Sequence, residues 1–175
     1  MADSVEYLQR LTLITKDKDP LAVQAETAPT IAALIHRVPD ADLKRRSAPG
    51  KWSVVEIVAH LAEDELVTSW RYRQMLEHPG CSLAGFDQDK WAARGRYEEW
   101  SSQEALDMFR SLRTANLRML RALKSEEWMR FGEHAERGRI SVRDLAVHMA
   151  GHDLNHLAQI RALLANQALI SVHSE

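Results

Sequence analysis

A chain of 175 residues, 45% hydrophobic and 27% charged, fits one domain with a sizeable core of its own. Its formal net charge of −2 supplies no field to recruit nucleic acid or an anionic membrane. The lone cysteine, Cys81, cannot form an internal disulfide. Residues 1–10 include Asp3 and Glu6 and lack a signal-like apolar run, and no stretch nears the ~18 apolar residues of a membrane span. A cytoplasmic location is expected.

Residues 1–15 are expected to form a short helix. Asp19-Pro20 reads as an N-cap followed by proline at the first helical position, opening a helix to about Val38 that Pro29 should kink or break. A connector follows, ending in Ser47-Ala48-Pro49-Gly50. Ser53-Val54-Val55-Glu56 has capping-box spacing and starts a helix to about Glu77, before His78-Pro79-Gly80. Cys81 sits at that turn with no basic partner nearby in sequence and reads as an ordinary loop residue. Residues 78–100 are of mixed character, with Trp91, Tyr97 and Trp100. A second capping box, Ser101-Ser102-Gln103-Glu104, opens a helix to about Leu123. The segment from Trp128 to Arg139 is a glycine-punctuated connector, and Ser141-Val142-Arg143-Asp144 resembles a third cap, opening a helix to about Asn166. The tail from Gln167 to Glu175 is expected to be loosely held.

No convincing strand is visible. The expected fold is therefore all-α: a single domain, residues 1–175 with a core at about 19–166, built as a four-helix bundle. The long segment between the second and third bundle helices can cross the length of the bundle, so those helices can run parallel.

The last helix is the most informative. At ~100° per residue, Leu145, Met149, Ile160 and Leu163 share a stripe with His152 and His156 at its centre. The i, i+4 spacing puts both imidazoles on one face, where they can converge on one metal ion, and a buried imidazole needs a partner. Such pairs also arise by chance as satisfied core histidines. A third ligand must come from another helix. His60, flanked by Glu56, Glu63 and Asp64, is the natural candidate, but it sits well round from the stripe set by Val54, Val58 and Leu61. It could line a groove or face water. His148, one turn before His152, could ligate, support a ligand or wall a pocket. His36, His78, His134 and His173 are expected to be solvated. So are the basic runs Lys44-Arg45-Arg46 and Arg137 to Arg143. Trp52, Trp70 and Trp91 could wall an apolar pocket or seal a core edge.

The stretch from Gly50 through Lys51-Trp52-Ser53 to His60-Leu61 resembles the second-helix signature of the DinB/YfiT-like superfamily. The stretch His148-Met149-Ala150-Gly151-His152-Asp153-Leu154-Asn155-His156 resembles its fourth-helix signature. The resemblance implies a bundle with a long crossover and a divalent-metal site whose ligands fall on His60, His152 and His156. Many members carry another histidine directly before the last ligand; here that position is Asn155. The resemblance further implies a metal-dependent enzyme acting on a small molecule, by transfer or isomerisation with a low-molecular-weight thiol or by hydrolysis. Zinc or nickel is the first expectation for the metal, with iron, manganese or copper also compatible with three imidazoles. Glu63 and Asp64 are candidate general bases, although a solvated helix surface or a capping role is the favoured reading for acids at those places, and a homodimer is expected. The contrary reading is a stress-related, non-catalytic bundle with a structural or vestigial site.

Overall fold

The structure is a computed structural model describing residues 2–172. Its helices are α1 (Ala2–Ile14), α2 (Pro20–Ile35), the single turn α3 (Asp40–Leu43), α4 (Val54–Glu77), α5 (Gln88–Arg94), α6 (Ser102–Arg121) and α7 (Val142–Val172). Three short strands, β1 (Cys81–Leu83), β2 (Phe131–His134) and β3 (Gly138–Ser141), lie in the connectors.

The helix starts follow their capping chemistry. Asp19 accepts from the Leu21 amide at 2.9 Å, with Pro20 at the first helical position. Ser53 and Glu56 form a reciprocal capping box, as do Ser101 and Glu104. At α7 the Asp144 carboxylate accepts from the Ser141 amide at 3.0 Å, while Ser141 Oγ accepts from the Asp144 amide at 3.1 Å. Pro29 does not break α2, which runs unbroken from Pro20 to Ile35. It sits on the exposed side, where water can take over the carbonyl its missing N–H leaves unpaired. The end of α7 also departs from expectation, because the helix continues to Val172 rather than stopping near Asn166.

Two core clusters fix the helix directions. In one, the C-terminal half of α2 (Ala28, Ile31), the N-terminal half of α4 (Ile57, Leu61), the N-terminal half of α6 (Leu106, Phe109) and the C-terminal half of α7 (Ile160, Leu163) pack together. In the other, Leu21 of α2 meets Tyr72 and Met75 of α4, Leu120 of α6 and Leu145 and Met149 of α7. Hence α4 and α6 are parallel to each other, α2 and α7 are parallel to each other, and the two pairs are opposed. Residues 78–101 carry the chain back along the bundle between α4 and α6, as the connection length predicts.

The sheet is a correction to the strandless expectation. Strand β1 pairs parallel with β2, and β2 pairs antiparallel with β3. Gly132 permits this pairing, since a Cβ there would lie 2.6 Å from Leu83 Cγ. The hairpin turn ends at Gly138, whose φ of +68° favours glycine. This small sheet covers one end of the bundle and brings residues 84–86 and 134–137 beside the helices.

A buried polar network ties the four long helices. Arg113 of α6 (2% exposed) bonds Asp153 of α7 (0% exposed) and lies 2.9 Å from Glu65 of α4 (1% exposed). Thr27 of α2 donates to Asp153 at 2.9 Å, and Asn116 donates to Glu65 at 2.9 Å. Both Asp153 oxygens and Glu65 Oε1 accept hydrogen bonds, and Glu65 Oε2 faces the Arg113 guanidinium at 2.9 Å, the pairing that allows charge to persist in a core. Helix α1 packs across α7 at Gly151, where a Cβ would sit 2.8 Å from the Leu11 carbonyl oxygen.

Candidate metal centre

The stripe read from α7 is the buried one: Leu145, Met149, His152, His156, Ile160 and Leu163 are all at most 9% exposed. His60 joins them from α4, itself 2% exposed. Periodicity could not place it because Val54 through Ala62 are all buried. This half of α4 is enclosed on every side, so no stripe distinguishes a core face from another.

The three rings converge. His60 Nε2 and His156 Nε2 each lie 3.1 Å from His152 Nε2, and one nitrogen from each of the three falls within 4.8 Å of the others. An imidazole nitrogen carries one lone pair or one N–H, never both. His152 Nε2 therefore cannot bond both neighbours well through protons alone. Two nitrogens bound to one ion at ~2.0–2.1 Å would stand about 2.8–3.4 Å apart for bond angles of roughly 90–109°. The donor set and its spacing fit a divalent cation.

The outward-facing nitrogens are partly supported. His156 Nδ1 meets Gln159 Oε1 at 3.0 Å, and His152 Nδ1 lies 3.6 Å from Asp64 Oδ2. His60 Nδ1 is buried without a partner, and its ring packs against Trp52 at 4.9 Å between centroids. Hydrogen bonds at the far nitrogen fix the tautomer a metal ligand needs. Burial is the main reason all three rings are held neutral. His60 is pushed down to about 3, helped by His156; His152 lies well below its ordinary value; His156 is lowered too. Neutral imidazole is the ligating form.

The cluster opens into a cavity of about 770 Å³. Asp64, one helical turn after His60, lines it, and burial pushes its carboxyl up to about 7 against the pull of Arg71. Glu63 does not line it; its carboxylate accepts the Tyr97 hydroxyl proton at 2.6 Å instead. His148 forms part of the wall, its ring stacked 6.1 Å from that of His152. Among the tryptophans Trp52 lines the cavity, Trp91 backs it through Phe86 at 4.8 Å, and Trp70 is 63% exposed, far from any pocket role.

Two expectations of solvation need correcting. His134 is buried and lines the cavity, because strand β2 carries it inward and the Glu136 amide donates to its Nδ1 at 3.2 Å. Arg137, at the hairpin turn, lines the cavity as well. His36 and His78 are exposed as expected, and His173 lies outside the described residues. The basic run at 44–46 is paired with acids: Lys44 with Asp40, Arg45 with Asp42, Arg46 with Glu56. Tyr7 of α1 and Arg71 of α4 are further cavity residues that sequence reasoning missed. Arg71 lies on the helical face of His60 and Asp64, at i+11 and i+7, and that spacing is the signal that could have found it.

Fold and cluster together define a class: helical bundles with a crossover connection that gather histidines from two opposed helices around one point. The model of the DinB superfamily matches residues 25–160, and the chain belongs to that superfamily. A curated relative from Oceanobacillus iheyensis, provisionally named a metal-dependent hydrolase, is 24% identical over 134 residues, covering 77% of each chain. Among solved structures, YfiT from Bacillus subtilis, described as a probable metal-dependent hydrolase with an unusual four-helix bundle topology, superposes with a TM-score of 0.79. It is 19% identical, over 85% of this chain and 86% of that one. No described helix is long and apolar enough to cross a membrane.

Proposed function

We propose that this protein is a divalent-metal-dependent enzyme that hydrolyses a small molecule in the cavity above His60, His152 and His156. The observation that carries the reading is the 3.1 Å approach of two imidazole nitrogens to a third, a pair of contacts that a shared cation satisfies better than protons alone. A set of three histidines among the described residues leaves a coordination position open, the pattern of catalytic rather than structural sites. The descriptions of the two relatives agree with hydrolysis. Zinc and nickel are the ions we expect on this donor set.

A bound divalent ion would acidify water toward neutrality and polarise the bond under attack. The remaining work belongs to the chain. Gln159 orients His156 through its far ring nitrogen, and Asp64 stands 3.6 Å from the far nitrogen of His152. Asp64 is also placed to take a proton, since it lines the cavity and its raised carboxyl changes charge near neutral pH. Glu63, bonded to Tyr97, holds that tyrosine against α4 instead. Trp52 and Phe86 supply apolar walls. Transfer of a low-molecular-weight thiol would use the same site, a metal-bound thiol being deprotonated at neutral pH. The test is a panel of esters, amides and thiol–electrophile pairs with the metal-loaded protein, before and after chelation. Chelator-sensitive hydrolysis supports the reading, thiol consumption moves it to transfer, and no chelator-sensitive turnover in either panel leaves a non-catalytic bundle.

A further inference from the structure

The cavity holds more positive charge than the metal reading uses. Arg71 of α4 is only 8% exposed. Its Nη2 donates to the Ala84 carbonyl at 2.6 Å, which fixes the guanidinium, while its Nε is buried with no partner. The Phe86 ring stands 5.9 Å from the guanidinium carbon. Arg137, from the turn of the β2–β3 hairpin, lines the same cavity. Among the described residues neither arginine has a carboxylate within ion-pair distance, although the other buried arginine of the fold, Arg113, has two. Asp64 attracts both arginines without reaching either; Asp89 and Glu136, the other cavity acids, are exposed.

Burying a guanidinium with an unused N–H and no counter-charge costs energy, and such groups are the usual partners of carboxylates and phosphoryl groups. The neighbouring walls, His134 and His148, cannot supply the missing negative charge. Burial keeps both rings short of protonation, and the two arginines push the same way.

We propose that Arg71 and Arg137 form an oxyanion subsite on the sheet side of the cavity, so that the substrate is a small molecule carrying a carboxylate or phosphoryl group apart from the bond that reacts at the histidines. This deepens the proposed function and rests on it for the word substrate; the subsite itself is tested without turnover. Inorganic phosphate and acetate are titrated calorimetrically, at constant ionic strength with chloride as background, into metal-loaded and chelator-treated full-length protein. Arg137→Gln and Arg71→Gln are compared with the parent, each checked for an unchanged circular dichroism spectrum.

Saturable binding at millimolar or lower concentration is expected in both forms, about tenfold weaker in Arg137→Gln with metal content unchanged. Whichever anion binds tighter names the substrate group. Arg137→Gln, at an exposed turn, keeps the test decisive if Arg71→Gln fails to fold. Three results overturn the subsite: no saturable binding of either anion, equal binding by Arg137→Gln, or binding only to metal-loaded protein regardless of Arg137, which puts the anion on the ion. Arginine-dependent binding by a protein that takes up no metal would keep the subsite and remove the metal reading instead.

Discussion

Asp153→Ala should cost the fold about 3–5 kcal/mol, the range for breaking a buried charge pair by removing one partner. The side chain is wholly buried and takes two bonds from Arg113 and one from Thr27. Charge-assisted bonds contribute about 1.5–3 kcal/mol each, so the two from Arg113 alone reach that range. Glu65 remains beside Arg113, which keeps the guanidinium from being left unpaired and argues for the lower half. At about 2–4 °C per kcal/mol for a chain of this size, the melting temperature should fall by roughly 6–20 °C. Asp153→Asn retains the shape and one acceptor and should lose less. Urea unfolding followed by far-UV circular dichroism measures both. A cost below about 1 kcal/mol for Asp153→Ala would show that the network does not hold the bundle as described. Because Asp153 follows His152 on α7, the same variant should also weaken metal uptake.

Three further outcomes follow from the geometry. Gly151→Ala would press a Cβ against the Leu11 backbone, which cannot rotate away; α1 should detach at a cost of about 1–3 kcal/mol, seen as faster amide exchange in residues 6–14, and unchanged protection there would count against the docking. In chelator-treated protein His60, His152 and His156 take up protons on unfolding near pH 6.5 but, being depressed by burial, not while folded, so stability should fall as pH falls below 6.5. Asp64, raised to about 7 by burial, works in the opposite sense and offsets one of them, while His148 and His134, also lowered by burial, add to the loss; stability should therefore fall between pH 6.5 and 5, and a flat or rising profile would contradict the buried neutral rings. Asp64→Asn should keep the metal and lower turnover about a hundredfold or more, and full activity would remove Asp64 from the mechanism.

Much of the scaffold could be read from the chain because its signals are local. The three caps and the α7 stripe depend on residues within one or two turns, and the structure realises them at Ser53, Ser101, Ser141 and along Leu145–Leu163. His60 needed the family signature, since a helix end buried all round has no informative period. The sheet escaped because its strands are three or four residues long and β1 and β2 come from connectors on either side of α6, too short for alternation to register. The Arg113 network left a trace that went unused: Leu106, Phe109, Arg113, Leu117 and Leu120 fall on one heptad-like face of α6, and an arginine at the centre of an apolar stripe calls for a buried acid. Asp153, between Met149 and His156 on α7, is the matching clue. Arg71 and Arg137 meet only through the fold, one on a helix and one on a hairpin turn.

The proposed function requires imidazoles of α4 and α7 to share one ion. Metal analysis by mass spectrometry of the purified protein, alongside His60→Ala and His152→Ala, tests it most directly. About one equivalent of divalent metal in the parent and almost none in either variant is the predicted result. Full stoichiometry in both variants, or a parent that refuses zinc and nickel alike, would contradict it.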